Sequence, residues 1–162
     1  MLDMQKITPC LWFDKNCEEA MNYYVSVFKD SKILSIKRYP SGITEGPMAG
    51  MDGKVLTGIF ELAGQRFMAL DGGPIFKFNE AISLVVDVET QEELDEIWSK
   101  LSAVPESEQC GWCKDKFGLS WQIVPSSMQR IMSGDPAVAD RVMQEVLKMK
   151  KLDIAKLEAA AK

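Results

Sequence analysis

Two features of the chain carry residue types that could do chemistry: the run Cys110-Gly111-Trp112-Cys113 and the lone carboxylate of Asp71. A Cys-x-x-Cys pair exchanges disulfides when it opens a helix, because the helix N-terminus stabilises one thiolate. Here the four residues fall in a predicted strand over 108–114, where positions three apart point to opposite faces and the sulfurs diverge. The spacing therefore favours structural thiols over a redox pair. A zinc site would have to recruit Cys10 and Cys17, whose separation is not a usual ligand spacing. The chain contains no histidine, so the commonest general base and transition-metal ligand is missing altogether. Asp71 ends a predicted strand and is the weak candidate for a catalytic residue, as a general base of shifted pKa. Its other reading is a cap that bonds backbone N–H groups. Gly72-Gly73-Pro74 behind it lacks the G-x-G-x-x-G pattern and a following helix, so it reads as a turn and not as a phosphate loop. Of the four Trp, Trp98 lies on a helical core stripe, and Trp12 and Trp121 read as core on strands. Trp112 is left as the possible stacking platform or lid.

Those groups are positioned by a chain whose 162 residues suit one domain or two small halves. Hydrophobic residues at 46% are enough for a real core. The net charge of −5 disfavours nucleic acid as a partner. No apolar run approaches the roughly 20 residues of a membrane span. Met1-Leu2-Asp3-Met4-Gln5-Lys6 lacks the layout of a signal peptide, so a cytoplasmic location and no membrane partner are expected.

The pattern predicts a strand over 7–13, then a capping box at Asn16-Cys17-Glu18-Glu19 and a helix with Cys17, Ala20, Met21, Tyr24 and Phe28 inward. Strands follow over 31–39, 54–62 and 65–70. The plan then repeats. A strand over 81–88 leads to a second capping box, Thr90-Gln91-Glu92-Glu93, and a helix with Leu94, Ile97, Trp98 and Leu101 inward. Strands over 108–114 and 119–124 are joined by a turn at Asp115-Lys116-Phe117-Gly118, and a further strand is placed near 102–106. The fold class is therefore α+β, with two βαβββ modules (6–72 and 80–125) forming one domain and a C-terminal helical extension over 126–162. That extension, interrupted near 150–153, carries an apolar stripe of Val138, Val142, Val146 and Met149 that packs on the domain or on a second copy.

The repeated half, with Ile7-Thr8-Pro9-Cys10-Leu11-Trp12-Phe13, Tyr23-Tyr24 and Asp115-x-x-Gly118-x-x-Trp121-Gln122, resembles the vicinal-oxygen-chelate superfamily of glyoxalases and bleomycin-resistance proteins. Residues 64–70, Gly72-Gly73-Pro74, Phe76-Lys77-Phe78 and 114–125 look like its PhnB-like branch, often labelled 3-demethylubiquinone-9 3-methyltransferase. The chain departs from that branch at Ile75, where a His is common, and at Cys113, where a larger aliphatic residue is usual. The resemblance implies a cupped mixed sheet and a homodimer. It puts the superfamily's metal-ligand positions at Pro9, near Phe67, at Ala81 and at Gln122. Three of these offer no donor and a lone amide cannot hold a divalent transition metal, so neither a metal nor a cofactor is expected. The methyltransferase label is not carried over, because no methyl-donor nucleotide site is recognisable.

The cup then becomes an apolar cavity for an unknown small organic molecule. Strand alternation from Gln122 turns Ser120 and Val124 into it and sends Trp121 and Ile123 toward the helices. The same parity nominates Phe13, Phe67, Asp71 and Ser83 as lining. The expected function is metal-independent small-molecule binding. The alternative is a metal-independent enzyme using Asp71 as base and Gln122 as hydrogen-bond donor.

Overall fold

A computed structural model describes residues 5–162. Met1 to Met4, part of the segment weighed above as a signal peptide, lie outside the described residues. The chain divides into two compact units, 1–77 and 78–162.

The first unit is a four-stranded sheet covered on one face by a helix. Strands β1 (Cys10–Phe13), β2 (Lys32–Arg38), β3 (Val55–Leu62) and β4 (Gln65–Asp71) lie in the order β1-β4-β3-β2. β1 runs parallel to β4 and the other pairs are antiparallel. Helix α1 (Cys17–Val27) supplies the crossover that a parallel pair requires. It buries Cys17, Ala20, Met21, Tyr24 and Val27. The covered face of the sheet is set by Gly58 and Phe60. Met21 lies so close to Gly58 that a Cβ there would come within 2.4 Å of it. Phe60 stacks between Tyr24 and Phe67, with ring centroids 6.4 and 5.5 Å away. This aromatic column is the core of the unit. The capping box expected at Asn16 does not form. Asn16 makes no side-chain cap, and the Cys17 N–H instead donates to Asp71 Oδ1 at 2.8 Å.

The second unit repeats the plan with one strand fewer. β5 (Ser83–Val88), β6 (Trp112–Lys114) and β7 (Ser120–Pro125) lie in the order β5-β7-β6, with β5 parallel to β7. Helix α2 (Gln91–Leu101) joins them and buries Leu94, Ile97, Trp98 and Leu101, the four residues expected. Its box is formed. Thr90 Oγ1 accepts from Glu93 N at 3.2 Å, and Glu93 Oε2 reaches back to the N–H of Glu89 at 2.9 Å. The strand expected near 102–106 does not form: residues 102–104 are irregular and a 3₁₀ turn spans Pro105–Ser107. Pro105 has no N–H to give to a ladder, which favours a helical turn start over a strand. Helices α3 (Ser127–Met132), α4 (Pro136–Val146) and α5 (Ile154–Ala160) complete the unit, with the break between α4 and α5 where the sequence placed it. Val142 and Val146 of the apolar stripe are buried within the chain. Among the described residues no helix is long and apolar enough to cross a membrane.

The β6–β7 connection is organised by one buried carboxylate. Asp115, 1% exposed, accepts from the N–H groups of Phe117 and Leu119 through Oδ1 at 2.8 and 3.1 Å. Its Oδ2 accepts from the Trp121 indole at 2.8 Å. Hydrogen bonds to an ionised acceptor are the strong ones, and their buried donors would be left unpaired without it. Asp115→Ala should lower the unfolding free energy by about 3 kcal/mol, on the scale of a broken buried network. Urea denaturation of the two proteins measures it, and a loss under about 1 kcal/mol would show that the turn holds itself.

Candidate functional site

Strand register decides which predicted site residues share a face. In the second unit, Leu84 pairs with Trp121, Val86 with Ile123 and Val88 with Pro125. Trp121, Ile123 and Val88 are buried beneath the helices, as expected for Trp121 and Ile123. The alternate residues face the other way and form two rows across the three strands. One row is Val85, Gln122 and Trp112; the next is Ser83, Ser120 and Lys114. Gln122 Nε2 donates to Ser83 Oγ at 2.9 Å, a diagonal contact between the rows. Lys114 closes the second row by pairing with Glu80. The hydrogen bond from Lys114 holds the Glu80 carboxyl below the usual carboxylate range.

Ser83, Trp112 and Gln122 thus meet on one face, turned away from the helices. Trp112 is half-buried and Val85 is 57% exposed, so an aromatic and an aliphatic surface flank the Gln122 amide. The bond to Ser83 fixes the direction of the amide. Its carbonyl oxygen and the Ser83 hydroxyl proton are left as an acceptor and a donor on that face. This arrangement can hold a flat apolar molecule with polar groups at its edge.

Phe13, Phe67 and Asp71 are placed otherwise, and the parity expected for them is reversed. Phe67 is in the aromatic column, Phe13 is 4% exposed, and Asp71 sits under the start of α1. The reason lies in the register: Phe67 opposes Phe60, and Phe13 opposes Asp71, so all share the face that Gly58 gives to Met21. The opposite face of this sheet carries Trp12, Met68, Leu70 and Ile59 instead. Trp12, expected as core, is half-buried there. Its indole donates to Gly73 O at 2.9 Å and its ring lies on Gly72, where a Cβ would approach to 2.2 Å. Phe76 meets the Trp12 ring edge-on at 5.0 Å. The glycine pair behind β4 was the available signal, because a residue without Cβ permits close approach of a ring.

Asp71 is a structural hub. Besides capping α1, its carbonyl accepts from the buried Tyr39 hydroxyl at 2.7 Å. Burial pushes its carboxyl above the usual range, against the lowering effect of the Cys17 N–H. Burial also pushes the Cys17 thiol up to about 12, aided by the Asp71 charge. The Cys-x-x-Cys is half in a turn and half in a strand. Cys110 and Gly111 have positive φ and form the tip of a two-residue hairpin closed by Gln109 and Trp112. Cys113 is buried, which pushes its thiol up to about 12. A thiol that stays protonated at neutral pH is a poor exchange nucleophile. Among the described residues no three His, Cys, Asp or Glu side chains converge as a metal site would need. Of the ligand positions implied by the resemblance, Pro9, one near Phe67, Ala81 and Gln122, Pro9 and Ala81 carry no side-chain donor and Gln122 carries a neutral amide.

Paired parallel-closed modules, each a sheet with a helix on one face, define an α+β protein of the kind the sequence repeat implied. The chain belongs to the family described as 3-demethylubiquinone-9 3-methyltransferase, whose model matches residues 5–124. It is similar to a Bacillus cereus structure provisionally described as a 3-demethylubiquinone-9 3-methyltransferase, PhnB protein. The two are 41% identical with a TM-score of 0.62, over 75% of this chain and 100% of that one. A Pseudomonas aeruginosa structure is 19% identical with a TM-score of 0.57, over 75% and 97% of the two chains, and shares the fold. A glyoxylase/bleomycin resistance protein/dioxygenase domain from Frankia is 17% identical with a TM-score of 0.48, over 76% and 93%. No functionally curated protein matches the chain.

The capping role of Asp71 has a pH signature. A carboxyl whose folded pKa lies above its unfolded one binds more protons when folded, so its contribution is complete below the unfolded value and fades as pH rises through the folded value. Asp71→Asn keeps an acceptor for Cys17 and removes the buried charge. It should leave stability at pH 7 unchanged or higher and remove that decline. Asp71→Ala, which leaves the α1 N–H unpaired, should cost about 1–2 kcal/mol at either pH. Urea titrations at pH 4 and pH 7 measure both; Asn as damaging as Ala would contradict the assignment. Alkylation of the native protein should modify Cys110 well before Cys17 and Cys113, and mass spectrometry of the peptides reads the order.

Proposed function

We propose that this chain binds a small, flat organic molecule on the face of β5, β6 and β7 that carries Trp112, Gln122 and Ser83, without a metal. The observation that supports the reading most is the Gln122–Ser83 hydrogen bond at 2.9 Å beside the Trp112 ring. A polar pair whose geometry is fixed before any ligand arrives loses little freedom on binding, and an aromatic neighbour supplies contact area at little further cost. Phe13, Phe67 and Asp71, buried on the helix side of their own sheet, have no part in it.

Sequestration fits better than turnover. Asp71, the base that an enzymatic reading would use, spends one carboxylate oxygen on α1 and lies beneath the helix. The family description does not by itself bring methyl transfer to this chain. The stretch behind β4 holds no helix N-terminus that could cradle a nucleotide phosphate, since residues 72–82 run without one. The protein works as a homodimer in the cytoplasm. Met143 on α4 and Leu147 at its C-cap, both exposed, offer apolar area for self-association, and buried protonated thiols suit a reducing compartment.

Native mass spectrometry of freshly purified protein, with elemental analysis of the same sample, tests these statements together. The expected spectrum shows two chains and a retained organic mass, with no stoichiometric metal. Trp112→Ala and Gln122→Leu should each lose the retained mass while unfolding at the wild-type temperature. Stoichiometric nickel, zinc or iron, or a ligand retained by both variants, would contradict the proposal.

A further inference from the structure

The hairpin tip that presents Trp112 does not stand alone; it is fastened to the connection between α4 and α5. Cys110 N donates to Met149 O and Gly111 N to Lys150 O, both at 2.8 Å. Gln109 Nε2 donates to Leu147 O at 3.2 Å. Leu152, 1% exposed, lies against Gly111, where a Cβ would come to 3.1 Å of it. Gly111 is further held by its carbonyl, which accepts from Ile123 N at 2.9 Å. The tip is therefore clasped between β7 on one side and residues 147–152 on the other.

The connection is in turn fastened to α2. The Gln91 side chain donates to Leu152 O at 3.1 Å and accepts from Ile154 N at 2.8 Å. One amide thus satisfies both backbone groups that flank the turn into α5. Lys151 pairs with Asp95, one turn further along α2, at 2.8 Å. The family match ends at residue 124, so this fastening is made by a segment outside the matched region.

We infer that residues 147–154 form a strap, locked by Gln91, that positions Trp112 for ligand binding, so that the C-terminal extension sets the affinity of a face to which it contributes no side chain. This rests on the reading of Trp112 as the ligand platform. Trp112 follows Gly111 directly and faces Gln122 in register, so a loosened tip lets the ring leave the Gln122 row. Gln91 is a positioning residue: it acts through Leu152 and Ile154 on the tip, and through the tip on the ring. A strap made of backbone bonds and one buried leucine can open locally without unfolding the sheet.

The test uses the full chain and Nile red, a flat neutral dye with a carbonyl acceptor, as the probe. In Gln91→Ala and in Leu152→Ala, hydrogen exchange at the Cys110 and Gly111 amides should speed up about tenfold or more, while β5 amides change less than about twofold. Nile red should bind both variants about fivefold more weakly, the size expected for a mispositioned contact. Gln91→Glu keeps the acceptor for Ile154 but sets a carboxylate oxygen where the amide now donates to Leu152 O and to Asp95 Oδ1, so it should loosen the tip and weaken the dye at least as much as Gln91→Ala. Faster exchange with unchanged dye affinity would overturn the strap's role while leaving the binding face intact. Unchanged exchange at both amides would overturn the strap itself. Dye binding that survives Trp112→Ala would overturn the platform reading and the inference that rests on it. A uniform rise in exchange across β5, β6 and β7 would mark Gln91 as a general stabilising residue and overturn the positioning role.

Discussion

The buried carboxylate of Asp115 is the constraint on which the second unit depends. It collects two backbone N–H groups of the turn and the indole of Trp121, and so fixes the rotation of β7 as the strand begins. With the Trp121 ring drawn to the helix side, Gln122 must point to the other face. A one-residue slip would bury Gln122 without partners and expose the indole, each at a cost of some kcal/mol. The position of the proposed binding amide is therefore set by a residue that need never touch a ligand.

Asp71 plays the corresponding part in the first unit, although it ties a strand to a helix and not a turn to a ring. Each unit closes its first strand in parallel on its last, and in each a carboxylate buried near that closure satisfies donors that the backbone alone leaves unpaired. The difference in consequence is one of face. Asp115 accepts from β7 on the helix side and leaves the other side of the sheet for Gln122, Ser83 and Trp112. Asp71 belongs to the helix side itself, so the face away from α1 is left to Trp12 and its aliphatic neighbours.

Much of this was legible in the residues. The repeat, the second capping box, the four inward residues of α2 and the break after α4 all came from periodicity and end signals, which are local properties. Parity was legible for β7 because Gln122 lies between two large apolar residues that can only be core. It failed for β4 because Phe67 to Leu70 are all apolar and Asp71, the polar residue that shares the parity of Phe67, is buried on the helix side as the cap of α1. Gly58 carried the answer, since a glycine in mid-strand marks close approach of a neighbour, but the neighbour is Met21, far away in the chain. The cap on α1 was hidden for the same reason: Asn16 has the right chemistry nearby, and Asp71 provides it from 54 residues away. No strand forms near 102–106 because Pro105 opens a 3₁₀ turn there, a signal carried by the residue itself.

The family places the chain, and the task proposed for it is binding on the face of β5, β6 and β7. The most direct measurement of that task is a two-dimensional NMR titration with Nile red that resolves the four Trp indoles and the side-chain amides. Binding on this face requires the Trp112 indole and the Gln122 amide to shift together and saturably, with the Trp98 and Trp121 indoles still. Saturable binding that moves the buried indoles or the Trp12 indole and leaves Trp112 and Gln122 in place would contradict it.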